Sequence, residues 1–371
     1  MNFSINLNNQ SSFDILKANT ITSNTISSNS FLSPFQFQGF ANTTTITGLT
    51  GTQKWHGGVL APNGKIYGIP YDSTSVLIID PVTNTADTTS IKGLTGTAKW
   101  AGGVLAPNGK IYCIPLFTNS VLIIDPTTNT ADTTTISGFG TGSAKWSGGV
   151  LGPDGLIYGI PDGATSILII NPFTNTADTT TINSTSYPDL IGNSKWNGGV
   201  LALNGKIYGI PRSSTKVLII DPVAKTINTT ISVGVNGYRG GVLAPNGKIY
   251  CIPGDGLSVL VIDPVGGTTS NIGTLSNTTA KWLGGVLGLN GKIYGIPRNF
   301  TSVLIIDPVS DTVDTATISS LSADSNKWIG GVLAPNGKIY AIPYSSTTVL
   351  QINTGLPSLP PWMLEAYFNK F

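Results

Sequence analysis

The stretch Lys54–Pro70, KWHGGVLAPNGKIYGIP, decides the architecture, because the chain writes nearly the same seventeen residues seven times. Its GGVL tetrad begins at Gly57, Gly102, Gly148, Gly198, Gly240, Gly284 and Gly330, at intervals of 45, 46, 50, 42, 44 and 46 residues. A period near 45 is that of a propeller blade or a comparable repeat unit. Within each copy GGVLA and KIYGIP read as two short strands. The turn between them is APNG at 61–64, 106–109, 244–247 and 334–337, with GPDG, ALNG and GLNG in the others. Pro, Asn and then Gly suit a type I turn closed by a left-handed glycine.

Working outward, SVLIID is apolar at Val76, Leu77, Ile78 and Ile79. A strand apolar on both faces is covered on both, as in a blade clamped between two neighbours. DPVTNT at 80–85 turns the chain, with Asp80 as an Asx-turn acceptor. The ADTTTI-type segment that follows reads as a polar fourth strand at the rim. The seventh copy stops after its third strand, VLQIN at 349–353, and the missing strand stands ahead of the first copy as ANTTTITGLTG, 41–51. A ring closes firmly when its last blade borrows a strand from the other terminus.

The sequence therefore predicts an all-β, seven-bladed β-propeller of four-stranded blades over 41–353, with the N-terminal strand completing the last blade. Residues 1–40 form an Asn/Ser/Thr-rich arm, and 354–371, with Trp362, Met363, Leu364, Tyr367 and Phe368, an apolar tail that packs on the propeller or makes an oligomer contact. An open solenoid would carry distinct capping repeats at its ends.

Composition agrees. The 371 residues exceed the roughly 250–300 at which one core stops growing, which calls for two domains or for repeats. Glu365 is the one glutamate, and 45 Gly and 23 Pro argue against helices. Charged residues are 10% and the net charge is +2, which gives no case for specific nucleic-acid binding. Cys113 and Cys251 occupy one repeat position three copies apart, too far for a disulfide, and read as small buried residues. No basic-then-apolar leader and no long apolar run stands in the sequence, so the expectation is an intracellular or virion-associated protein without a membrane partner.

The repeat KWxGGVLAPNGKIYGIP…SVLIIDP…TNTADTTTI resembles a family of propeller repeats found in bacteria, protists and large DNA viruses. More broadly it is similar to streptogramin-lyase-like and kelch-like propellers. The resemblance covers roughly 41–353. It implies the propeller, while one such fold hosts many functions.

The hairpin turns APNG and DPVTNT fall on one face, here the lower, and the loops after IYGIP and before GGVL on the other, the upper. Lower turns are nearly constant; upper positions vary. The residue before GG is His56, Ala101, Ser147, Asn197, Arg239, Leu283 or Ile329, and the residue after IP is Tyr71, Leu116, Asp162, Arg212, Gly254, Arg298 or Tyr344. A repeat protein that varies one face while holding the other binds through the varied face. All three arginines, Arg212, Arg239 and Arg298, fall there in adjacent blades four to six, and the long loop Asn183–Ser194 ends against blade four, able to overhang them.

Six lysines precede the tryptophan of the repeat: Lys54, Lys99, Lys145, Lys195, Lys281 and Lys327. Pointing inward, they make a basic funnel for an anion. The plainer reading lays each stem on its tryptophan with the charge in water, and takes the tryptophans as inter-blade packing.

One histidine and two distant cysteines cannot assemble the usual zinc ligand set, and Asp72, Asp162 and Asp255 lack the spacing of a calcium loop. No cofactor motif is present. His56 is the one candidate general base. The lyase-like resemblance implies histidine at the upper mouth with acidic groups and magnesium, but this chain has a single histidine and no glutamate in the ring, so no catalytic residue is assigned. The reading is a non-enzymatic binding or scaffold propeller. It takes an acidic protein or anionic ligand at the upper face through Arg212, Arg239, Arg298, His56, Tyr71, Asp162 and Tyr344. A structural component of a virion or surface particle is the alternative, and a lyase-like enzyme the second.

Overall fold

In a computed structural model, residues 39–234 and 236–354 are described. Most of the predicted arm and nearly all of the apolar tail lie outside the described residues. Seven four-stranded antiparallel sheets follow one another along the chain. Blade one comprises Trp55–Leu60, Ile66–Pro70, Leu77–Asp80 and Thr85–Asp87, hydrogen-bonded in that order, with Tyr67 opposite Val59 on one side and Ile78 on the other.

Blade seven is completed from the far end of the chain, as the sequence predicts. Phe40–Asn42 pairs antiparallel with Leu350–Asn353, Phe40 standing opposite Asn353. The pairing continues irregularly: Val349 N donates to Ile46 O at 3.0 Å and Leu49 N to Thr347 O at 3.0 Å. Ile46 and Leu49 are buried beneath it.

Seven apolar clusters lie between successive blades. Ile78 packs with Trp100, Ile111, Cys113, Leu122 and Ile124 of blade two, while its neighbours Leu77 and Ile79 pack against Tyr340 and Ile342 of blade seven. That is the reason the third strand is apolar on both faces. Each such side chain contributes about 1.5–3 kcal/mol by burial. Both cysteines are free and buried.

The outer strand differs from the expectation. It has three residues, Thr85–Asp87, and then bends. Asp87 Oδ1 accepts hydrogen bonds from Thr89 N, Thr89 Oγ1 and Ser90 N, and Ser90 Oγ bonds its other oxygen. The carboxylate thus takes the amides that a longer strand would offer its neighbour. Burial opposes ionisation of Asp87, yet the Ser90 and Thr89 donors outweigh it and hold the carboxyl at about 2.

The lower turns are tied from blade to blade. Asn63 Nδ2 donates to Pro126 O at 3.1 Å, and the Tyr67 hydroxyl donates to Asn129 Oδ1 at 2.8 Å. Asn108 and Tyr112 hold Pro172 and Asn175 in the same way, and Asn336 and Tyr340 hold Pro81 and Asn84 across the closure. Blade three has Asp154 in place of this asparagine, and blade four answers with Lys225, 2.6 Å away. These ties account for the constancy of the lower turns.

Candidate functional site

The upper mouth is built on a shared backbone frame. Each inner strand carries a register shift between its Trp or Tyr and its second glycine, as between Trp55 and Gly58. The shift falls on the varied residue and the first glycine. Those first glycines have φ between 68° and 84° and touch one another around the axis. A Cβ on Gly284 would lie 2.8 Å from Gly330 Cα, and one on Gly330 3.0 Å from Gly57 Cα, so only glycine closes this ring.

Above the glycines, amide-to-carbonyl bonds circle the mouth. Lys54 N donates to Tyr344 O at 2.7 Å, Tyr71 N to Lys54 O at 2.8 Å and Lys99 N to Tyr71 O at 3.0 Å. The series returns through Lys327 N to Arg298 O at 2.9 Å and Tyr344 N to Lys327 O at 2.8 Å. Blade five links differently, with Gly237 N on Arg212 O and Asp255 N on Gly237 O.

The six repeat lysines belong to this frame and follow neither reading of the sequence. They are at most 7% exposed. Lys99 Nζ donates to the carbonyls of Tyr71, Ser73 and Gly96 at 2.9, 3.0 and 2.8 Å while lying 5.8 Å from the Trp100 ring centroid. The stem does lie on the tryptophan, but the charge is neither in water nor in a funnel. The upper loops aim several carbonyls at one spot, and an ammonium with three donors serves them together. Burial lowers Lys54, Lys99, Lys195 and Lys327 to about 8. The tryptophans are inter-blade packing, each indole tied to a carbonyl, as Trp55 Nε1 is to Ser75 O at 2.8 Å.

On this frame the structure gathers the predicted site residues into two halves. His56 stacks on Tyr71 at 5.7 Å between centroids and meets the edge of Tyr344 at 6.3 Å, with Tyr71 and Tyr344 5.5 Å apart. Tyr344 joins Leu283 and Ile329 in a small apolar cluster, with Tyr71 at its margin, distinct from the seven inter-blade cores. Arg298 lies 5.6 Å over the Tyr344 ring, and its Nε donates to Asn326 Oδ1 at 2.8 Å.

The other half is polar. Asn197 Nδ2 donates to Ser147 Oγ at 2.8 Å, Arg212 pairs with Asp162 at 2.9 Å, and Arg239 pairs with Asp255 at 2.9 Å. The Arg239 stem lies on Gly254, where a Cβ would come within 2.7 Å of its Cδ, so blade five has a glycine at that position. Asp162 Oδ1 and Arg239 Nε are buried without a hydrogen-bond partner among the described residues. Such imbalance is uncommon in folded proteins.

The basic patch expected from three arginines is thus a mixed one. Two arginines have carboxylate partners; Arg298 has none within ion-pair distance among the described residues. All three still act on His56. Burial first, then the charge of Arg298, and after it Arg239 and Arg212, lower the imidazole to about 4. His56 is therefore neutral at pH 7. Among the described residues no group of three or more His, Cys, Asp or Glu is arranged to hold a metal ion.

The loop Asn183–Ser194 does not lie over the arginines by any contact seen here. Its single 3₁₀ turn, Pro188–Leu190, buries Leu190 between blades three and four, and Asp189 pairs with Lys216 at 3.0 Å and bonds Thr229. It is a clamp on the outer part of blade four. Asp72 is likewise structural, accepting the Ala98 amide at 2.6 Å.

The varied positions read from the sequence stand at this mouth, but their partners Asp255 and Asn326 and the division into halves were not foreseen. The signal was present: the two varied positions, written in ring order, are apolar in blades six, seven, one and two except at Arg298 and His56, and polar in blades three to five except at Gly254.

No family model matches this chain, and no curated protein matches it in sequence. Solved structures do match in fold. A catalytically inactive variant of virginiamycin B lyase from Staphylococcus aureus, solved with quinupristin, is 10% identical with a TM-score of 0.69, covering 85% of this chain and 99% of that one. A streptogramin B lyase is 11% identical with a TM-score of 0.63, over 85% of this chain and 97% of its own. Hydrazine synthase of Kuenenia stuttgartiensis is 17% identical with a TM-score of 0.62, over 82% and 97%. At such identities the likeness is one of fold alone: the chain is a seven-bladed β-propeller similar in structure to streptogramin B lyase-like propellers.

Proposed function

We propose that this protein is a non-enzymatic binding propeller that takes an anionic ligand or an acidic protein surface at its upper mouth. The observation that carries the reading is that all three arginines of an arginine-poor chain stand at the varied positions of the upper mouth, where Arg298 has no carboxylate partner among the described residues. Six buried lysines stand just around them, and Asp72, Asp162, Asp255 and Asp324 offset only part of that charge. On the lower face, by contrast, lysines and aspartates are matched, as in Lys65–Asp80, Lys110–Asp125 and Lys206–Asp221. The upper face therefore carries the positive field that steers an anionic partner.

Arg298 is the residue to test, because removing Arg212 would strand the buried Asp162 carboxylate and disturb folding. Capture from native lysate by wild type and by Arg298→Gln should differ, with the partner lost from a variant that stays folded and gives up only about 1 kcal/mol with its Asn326 bond. Equal capture by both would remove the reading. The particle-component and lyase-like alternatives rank below it, since no contact at the mouth favours either; co-purification with assembled particles would raise the first.

A further inference from the structure

We infer that the upper mouth is a two-sided site for a small amphipathic acid. Its carboxylate is received by Arg298, and its planar or branched apolar group lies on the wall formed by His56 and Tyr71, backed by the buried Tyr344. This rests on the binding-face reading above and narrows it to a ligand class.

The polar half of the mouth is largely served from within, by the Asn197–Ser147, Arg212–Asp162 and Arg239–Asp255 pairs. The apolar half is different. Leu283, Ile329 and Tyr344 are buried in a cluster of their own, and Tyr71 and His56 stay half-buried at its margin. The Tyr344 ring is itself buried beneath Arg298, with its hydroxyl committed to Gln53 Oε1 at 2.7 Å, so the accessible part of the wall is His56 and Tyr71.

Arg298 stands at the junction of the halves. Asn326 holds its Nε, and the Tyr344 ring lies beneath its guanidinium at 5.6 Å. Its Nη1 and Nη2 have no hydrogen-bond partner among the described residues. A planar fork fixed in this way is suited to receive both oxygens of a carboxylate. An anion alone would gain the fork and leave the aromatic wall wet. An apolar molecule alone would gain the wall and leave the fork unpaired. Because the half-buried Tyr71 stands 5.5 Å from the Tyr344 ring on which Arg298 lies, one small molecule carrying both groups a few atoms apart gains both.

The test is calorimetric titration of the whole chain at neutral pH with 3-phenylpropanoate, 3-phenylpropanol and acetate. The acid should bind roughly tenfold or more tightly than either of the others. Arg298→Gln should bring the acid down to the level of the alcohol. Tyr71→Ala should bring it down to the level of acetate, and Tyr71→Phe should retain it, each variant being shown folded by its melting curve. Acetate binding as well as the acid would make the mouth a plain anion site; the alcohol binding as well would make it a plain apolar one. Either result overturns the inference, as does no heat from the acid at about 10 mM. Those failures leave the binding-face reading standing or falling on lysate capture alone, so the two are told apart.

Discussion

The two faces of this propeller are made from the same repeat and handle it in opposite ways. On the lower face the side chains themselves are the joints: Asn63 and Tyr67 reach Pro126 and Asn129, and a change in one blade, Asp154, is met by Lys225 in the next. On the upper face the joints common to the blades are backbone amides, glycines and buried lysines, and the side chains of the varied residues add only ties that differ from blade to blade, such as Arg212–Asp162 and Asn197–Ser147. A face whose frame is backbone is free to vary its side chains. A face whose frame is side chain is not.

The largest blow to this comparison strikes both faces together. Deleting residues 40–51 removes the strand on Leu350–Asn353 and the buried Ile46 and Leu49. The loss should be about 5 kcal/mol or outright insolubility, because two core side chains go and an edge is opened. An unchanged melting temperature would refute the closed ring. Next comes the upper frame. Gly284→Ala sets a side chain at φ 79° and 2.8 Å from Gly330 Cα; about 3 kcal/mol should be lost, seen in denaturant unfolding, since left-handed strain and a backbone clash add.

The frame was legible in the sequence for reasons these variants expose. The glycine pair, the PNG turn and the doubly apolar third strand recur because each blade meets the same neighbours, and repetition turns one chain into its own comparison. Two things were not legible. The length of the outer strand was misjudged because Asp87 draws amides into a bend, a local competition that a Thr-rich β pattern conceals. The fate of the lysines was hidden because carbonyls from separate loops meet at Lys99 only after the ring has closed. The varied positions were read as one basic face because charge was counted before pairing: Asp162 and Asp255 lie next to arginines only in space, or at a distance in sequence that spacing does not interpret.

A smaller effect sharpens the placement of His56. Its folded proton affinity sits at about 4, while the unfolded chain's is near the ordinary value of about 6.5. Between those values the unfolded state holds more protons, so acidification from neutral pH costs stability, up to about 3 kcal/mol by pH 4. His56→Gln should lose less over that window than wild type. Parallel melting curves of the two across it would contradict the half-buried position beside Arg298. Smaller still is the lower-face counterpart: Tyr112→Phe removes the hydroxyl bonds to Pro172 and Asn175, which should cost about 1 kcal/mol in thermal or denaturant unfolding.

The most direct measurement sets those faces against each other in one experiment, capturing partners from native lysate with wild type, Arg298→Gln and Tyr112→Phe as parallel baits. The account predicts that Arg298→Gln loses the partner while remaining folded, and that Tyr112→Phe, at a comparable cost of about 1 kcal/mol, keeps it. Capture retained by Arg298→Gln, or lost with Tyr112→Phe, would contradict it.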